Sequence, residues 1–202
     1  VSRVGKQTRR PGPLTASAVL LALLAGGCTG PAPRTISAAA LESAPPRRPD
    51  GAQRCIVTQA SALRHLYQPL ARRFGLIQIR TPKDWEVLAS VAPVRGPCPD
   101  LSRGTLVGLL SETGTPLDGE WPLRWYAVRV HDGAGLLEAS FHAGSFLPDG
   151  ATYLETAYVP DLLAVLVVSV DGTWYYPAAP GETEPLAVNT SDTTGASLAI
   201  MP

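Results

Sequence analysis

The chain is poor in the residues and motifs that usually mark an active site. Its 202 residues include only three histidines and three cysteines. It has no Gly-x-Ser-x-Gly elbow, no His-Glu-x-x-His helix, no phosphate-cradling loop, no dinucleotide fingerprint and no calcium loop. His65, His131 and His142 are scattered along the chain, and none stands at ligand spacing from a cysteine, so no metal site is expected and no cofactor is implied. His142 with the nearby Ser145 resembles a base and nucleophile only in spacing; on an alternating strand the histidine belongs to the polar face. The acidic residues are spread singly, and Glu182 and Glu184 fall in a polar C-terminal stretch, so no catalytic residue is assigned. Internal repeats, heptads and regular helix–strand alternation are also missing, which argues against solenoids, coiled coils and doubly wound sheets.

Charge and hydropathy exclude more. All 17 acidic residues lie after Cys28, whereas four of the 17 basic ones, Arg3, Lys6, Arg9 and Arg10, lie at the start, so residues 28–202 carry a formal charge of −4. No basic stripe is left for phosphate contacts, and nucleic acid is not an expected partner. The apolar run from Leu14 to Leu24 is followed by Gly26, Gly27 and Gly30. It is far shorter than the roughly twenty residues a spanning helix needs. A basic start, a short apolar run and small residues behind it form the layout of a secretory signal, expected over residues 1–27.

The residues at the end of that run, Leu24-Ala25-Gly26-Gly27-Cys28, resemble the lipobox of bacterial lipoproteins. The resemblance implies a diacylglycerol on the Cys28 sulfur, cleavage of the Gly27–Cys28 bond and acylation of the new amine. Each buried methylene contributes about 0.8 kcal/mol, so two or three acyl chains anchor where one binds marginally. The expected address is the cell envelope, at the outer face of the plasma membrane or on an outer membrane, with Thr29 in place of an inner-membrane retention residue. In that oxidising compartment the remaining cysteines, Cys55 and Cys98, are expected to pair. A bridge between residues that far apart stabilises by roughly 4 kcal/mol in the loop-entropy account.

Four segments follow from composition. After the signal, residues 28–53 read as a tether because of Pro31, Pro33, Pro45, Pro46 and Pro49. Residues 54–177 read as one globular domain, and residues 178–202, rich in Pro, Gly, Thr and Ser, as a flexible tail. Within the domain, Leu63, Leu66, Tyr67 and Leu70 suggest a helix over 60–72 that Pro69 must bend or end. A strand is expected over 76–80, then a helix over 82–90 opened by Thr81, Pro82 and Asp84, with Trp85 and Leu88 on its apolar side. Strands follow over 105–110, 123–130, 136–141, 164–170 and 173–176, with turns at Asp132-Gly133-Ala134-Gly135 and Asp171-Gly172. The class is α+β: an antiparallel sheet or small sandwich with one or two packed helices.

The aromatic residues offer the only candidate binding surface. Trp121, Trp125 and Tyr126 cluster near one strand, and Trp174, Tyr175 and Tyr176 follow a turn. Alternation sends Tyr175 away from Trp174 and Tyr176, so one side should meet solvent. Trp121, Trp174 and Tyr175 are therefore the candidate contacts, because exposed Trp and Tyr bring large apolar area at low entropic cost.

A second resemblance covers residues 76–170. Thr81-Pro82-Lys83-Asp84-Trp85, Pro99-Asp100-Leu101-Ser102, the strand over 106–110, then Gly114, Gly119, Trp121, Tyr126, Pro160 and 165–168 fall in an order similar to the C-terminal domain of the PrcB family. These are protease-complex subunits, often lipoproteins, and the resemblance implies a non-catalytic β domain that binds another envelope protein. The expected function is a lipid-anchored, non-catalytic binding or assembly module. The alternative is an envelope hydrolase or a carrier of a small apolar ligand, with a site assembled from residues distant in sequence.

Overall fold

Asp-Gly pairs set two of the tightest turns. In the computed structural model, which describes residues 34–49, 51–71, 73–142, 144–177, 186–189 and 197–200, Asp132 and Gly133 have φ of 50° and 82°, and Asp171 and Gly172 have 49° and 81°. Positive φ at both central positions is the turn whose twist matches a β-hairpin. The first joins β7 (Leu123–His131) to β8 (Ala134–Phe141), so Ala134 and Gly135, expected in the turn, belong to the strand. The second joins β11 (Ala164–Val170) to β12 (Thr173–Tyr176).

With β13 (Leu186–Asn189), these strands form a five-stranded sheet in the order β13-β12-β11-β8-β7. Its β8–β11 pair is parallel; the other pairs are antiparallel. A second five-stranded sheet has the order β2-β10-β5-β4-β3 and is antiparallel throughout. Its strands are β2 (Gln53–Val57), β3 (Tyr67–Ala71), β4 (Phe74–Ile79), β5 (Gly104–Ser111) and β10 (Thr152–Pro160). The short strands β6 (Thr115–Pro116) and β9 (Phe146–Leu147) pair with each other.

Period-two alternation divides each strand between two cores. Leu76, Val107 and Leu109 pack with Leu137, Val165 and Val168 between the sheets. Ile77, Ile79, Leu106 and Leu110 face outward and lie beneath Leu88 and Val91 of α2 (Pro82–Val91). Thr81 caps α2: its hydroxyl accepts from the Asp84 N–H, and the Asp84 carboxylate accepts from the Thr81 N–H. The outer face of the other sheet, with Leu136, Val167 and Trp174, is covered by Ile36 of β1 (Arg34–Ser37) and by Ala38 and Leu41 of α1 (Ala38–Ser43). The fold is thus a mostly antiparallel sandwich with a thin layer on each outside.

Three expectations are corrected. Residues 34–49 are not a tether. Ser37 caps α1, Arg47 exchanges both backbone hydrogen bonds with Val128, and Arg129 donates to the carbonyls of Glu42 and Ala44, satisfying the end of α1. The prolines at 45, 46 and 49 end the helix rather than prevent it. The tail is not without structure, since β13 pairs with β12, and β14 (Ser197–Ile200) pairs with β1. The helix over 60–72 is a single 3-10 turn, Ala60–Leu63, followed by β3, an edge strand where Pro69 is tolerated beside a bulge. Cys55 is buried beneath α2 and Cys98 is exposed on the loop after it. Residues 1–33, with the expected signal and Cys28, lie outside the described residues.

The packing of α1 is directly testable. Leu41 is fully buried, so Leu41→Ala should lower the unfolding free energy by about 2–4 kcal/mol in urea melts. A true tether would give no change.

Candidate functional site

At one corner the inter-sheet layer stops being apolar. There β2, the edge of one sheet, approaches β7, the edge of the other. Glu155 lies on the same face of β10 as Ala157 and Val159, both in the inter-sheet core, so its carboxylate occupies an interior position and is only 2% exposed. Arg54 stands directly opposite on β2, and its Nε donates to Glu155 Oε1 at 3.0 Å. The other oxygen, Oε2, accepts from the backbone N–H of Trp125 on β7 at 3.4 Å. One carboxylate therefore ties β2, β10 and β7 together. Its burial raises the carboxyl above its ordinary range, and the charge of Arg54 opposes the rise.

A bulge on β7 makes this geometry possible. Trp125 pairs with Ala139 and Ala127 with Glu138, so Tyr126 is the additional residue. Leu123 and Trp125 before the bulge, and Val128 after it, all reach the inter-sheet core, and Tyr126 is turned out to solvent. The indole nitrogen of Trp125 is buried and has no hydrogen-bond partner among the described residues. Above β2, the guanidinium of Arg54 lies 5.8 Å from the centre of the Trp121 ring, which meets Tyr153 edge-on at 4.8 Å. The resulting cleft, about 620 Å³, is lined by Arg48, Pro49, Gly51, Arg54, Trp125 and Glu155 among others. Beyond Trp121 a smaller depression of about 210 Å³ is bounded by Glu120, Arg124, Ser140 and His142.

The three aromatic candidates separate. Trp121 is half-buried at the mouth of the cleft. Trp174 is buried beneath β1 and α1 and serves the outer core. Tyr175 packs edge-on against Phe74 at 5.3 Å, on the inter-sheet side. Strand alternation placed Trp174 and Tyr175 on opposite faces correctly, but both faces are covered.

His142 is committed elsewhere. Its Nε2 lies 2.6 Å from Asp118 Oδ2, and Asp118 is held below the usual carboxylate range by the Glu120 backbone N–H and by His142. Among the described residues no hydroxyl or thiol is hydrogen-bonded to the His142 ring, so His142 and Ser145 are not joined as base and nucleophile. The pair holds the loop around 118 against the end of β8. Arg48, Arg54 and Glu155 escaped the sequence reading, and Trp125 was placed in the aromatic cluster without being singled out, although the lone charge within the otherwise uncharged Thr152–Pro160 strand was a visible sign of an interior carboxylate.

Comparison of the chain with protein-family models, with curated proteins and with solved structures finds no match.

The raised carboxyl of Glu155 gives a signed pH dependence. The folded chain holds this proton to higher pH than the unfolded chain. The group's contribution to stability is therefore full below the ordinary carboxyl value and lost as the pH climbs through the raised one. Relative to Glu155→Gln, the wild-type urea midpoint should fall as the pH is taken from about 4 to 7. A relative rise would show that the pair with Arg54 outweighs burial.

Proposed function

We propose that the protein is a lipid-anchored component of a bacterial cell envelope that acts by binding, with the β2–β7 mouth as its recognition surface. The observation that carries this reading is the contrast between the mouth and the rest of the sandwich. Both outer faces are covered by the chain's own α2 and β1–α1 layers. The mouth presents a half-exposed Arg54 and the exposed Arg48 on one cleft, with Trp121 against the Arg54 guanidinium on the adjoining depression. Arginine and tryptophan are the side chains over-represented among the few that dominate binding energies. The charged lining is unsuited to a small apolar ligand.

The Leu24–Cys28 sequence supports the anchor, and the resemblance to the PrcB C-terminal domain implies the same class of role, by fold analogy alone. The folded state of residues 34–49 changes what such an anchor would do. Five residues lie between Cys28 and Arg34, a chain reaching at most roughly 20 Å. An anchor at Cys28 would hold the domain close to the bilayer rather than nanometres away.

Intact mass of the detergent-extracted protein tests the anchor. We expect residues 28–202 plus acyl chains, with Cys28→Ala giving an unlipidated species. An unlipidated wild-type mass would refute it. The recognition surface is tested by a photo-crosslinker at Trp121 in whole cells: a discrete adduct absent when the crosslinker is moved to Leu163, exposed elsewhere, supports the reading, and identical patterns at both positions overturn it.

A further inference from the structure

A count of donors and acceptors in the cleft shows what it is suited to hold. Both oxygens of Glu155 are engaged, by Arg54 and by the Trp125 backbone. The donors are not. Only Nε of the Arg54 guanidinium is used, so Nη1 and Nη2 have no protein partner among the described residues. Arg48 is exposed on the same cleft and has no ion pair or hydrogen bond among the described residues. Trp125 Nε1, without a hydrogen-bond partner among the described residues, is closed off within the inter-sheet core and is not one of the donors the cleft offers. A site whose carboxylate is already engaged and whose guanidinium donors are open favours a ligand that brings acceptors, and bonds from guanidinium to an anionic oxygen are among the stronger ones.

Charge and shape narrow the class. The described lining residues include two arginines and one carboxylate, and beside Glu155 a monoanion is better matched than a doubly charged phosphate. The two free Nη groups lie at the end of a planar fork whose plane is steadied on one side by Glu155 and on the other by Trp121. Such a fork pairs with the two oxygens of a carboxylate through parallel charge-assisted bonds. The volume of about 620 Å³ falls within the range of small-ligand sites.

We propose that the β2–β7 cleft is a carboxylate-binding site in which Arg54 and Arg48 grip one carboxylate group, carried by a small organic acid or by the C-terminus of a peptide. This rests on the reading of the mouth as the recognition surface and specifies what that surface recognises.

The test uses the full chain in detergent, with N-acetyl-alanyl-alanine, the same dipeptide as its C-terminal amide, benzoate and inorganic phosphate as probes. Binding is followed by calorimetry and by the indole N–H resonances. We expect the free acid to bind and the amide to bind about tenfold more weakly or worse, the loss of one charge-assisted contact. Arg48→Gln, at an exposed residue without partners, should weaken acid binding by a similar factor with an unchanged melting temperature. It keeps the test sound if Arg54→Gln unfolds the corner. Equal affinity for benzoate and the dipeptide acid points to a free organic acid; tighter binding of the dipeptide points to a chain terminus. No binding of either acid, equal binding of acid and amide, preference for phosphate, or an indifferent Arg48→Gln would each overturn the proposal. A crosslinked partner at Trp121 alongside any of these outcomes would leave the recognition surface standing and remove only the carboxylate.

Discussion

Every residue of β4 and β5, and all but one of β11, is buried, although each strand belongs to a sheet with two faces. A plain sandwich covers only the inner faces, so both sheets need an outer layer, and the remaining architecture follows from that demand. One layer is α2, whose capping box and first-turn proline fix its start. The other has to come from the N-terminal segment, and β1 and α1 supply it with Ile36, Ala38 and Leu41 over Leu136, Val167 and Trp174. At about 25 cal/mol per Å² of apolar surface, leaving that face to water would be unfavourable by several kcal/mol.

That demand also explains which parts of the fold were legible in the sequence. The start of α2 and the Asp-Gly turns rest on local rules, and they appear where local rules put them. The doubly apolar run at Ala164–Val170 was read as covered on both faces, and it is. The segment before β2 was misread because proline content was weighed as a property of the whole stretch. Its prolines cluster after Ser43, and the Ser37-Ala-Ala-Ala-Leu-Glu run ahead of them is a well-capped helix start. Residues 60–72 failed differently: Leu63 and Leu70 are both fully buried, as helical spacing suggested, but one packs beneath α2 and the other between the sheets. A short apolar spacing cannot distinguish one helix face from two strand faces.

The candidate site was the least legible part because it depends on pairing rather than on motif. Arg54 and Glu155 are about a hundred residues apart and meet only through the β2–β10 register. The loss of one residue from the β7 bulge would turn Trp125 off the inter-sheet face, since side chains alternate with a period of two. Sequence reasoning identified Trp121 as a surface aromatic but had no means of placing a guanidinium against it.

A well-packed sandwich corner of this kind would ordinarily hold a hydrophobic residue at position 155, and replacing buried ion pairs by apolar residues is often neutral or stabilising. Here the interior carboxylate holds the Arg54 fork in one plane and joins the edges of two sheets through the Trp125 backbone. Desolvating Glu155 is unfavourable, as the rise of its carboxyl shows, and the orphaned Trp125 indole adds to the cost. Local departures from optimal packing of this sort gather where a protein does its work. In this chain two of them meet at one corner of the sandwich, while the covered outer faces show that the sequence can bury apolar surface efficiently elsewhere. That contrast is why we propose the β2–β7 mouth, rather than either outer layer, as the recognition surface.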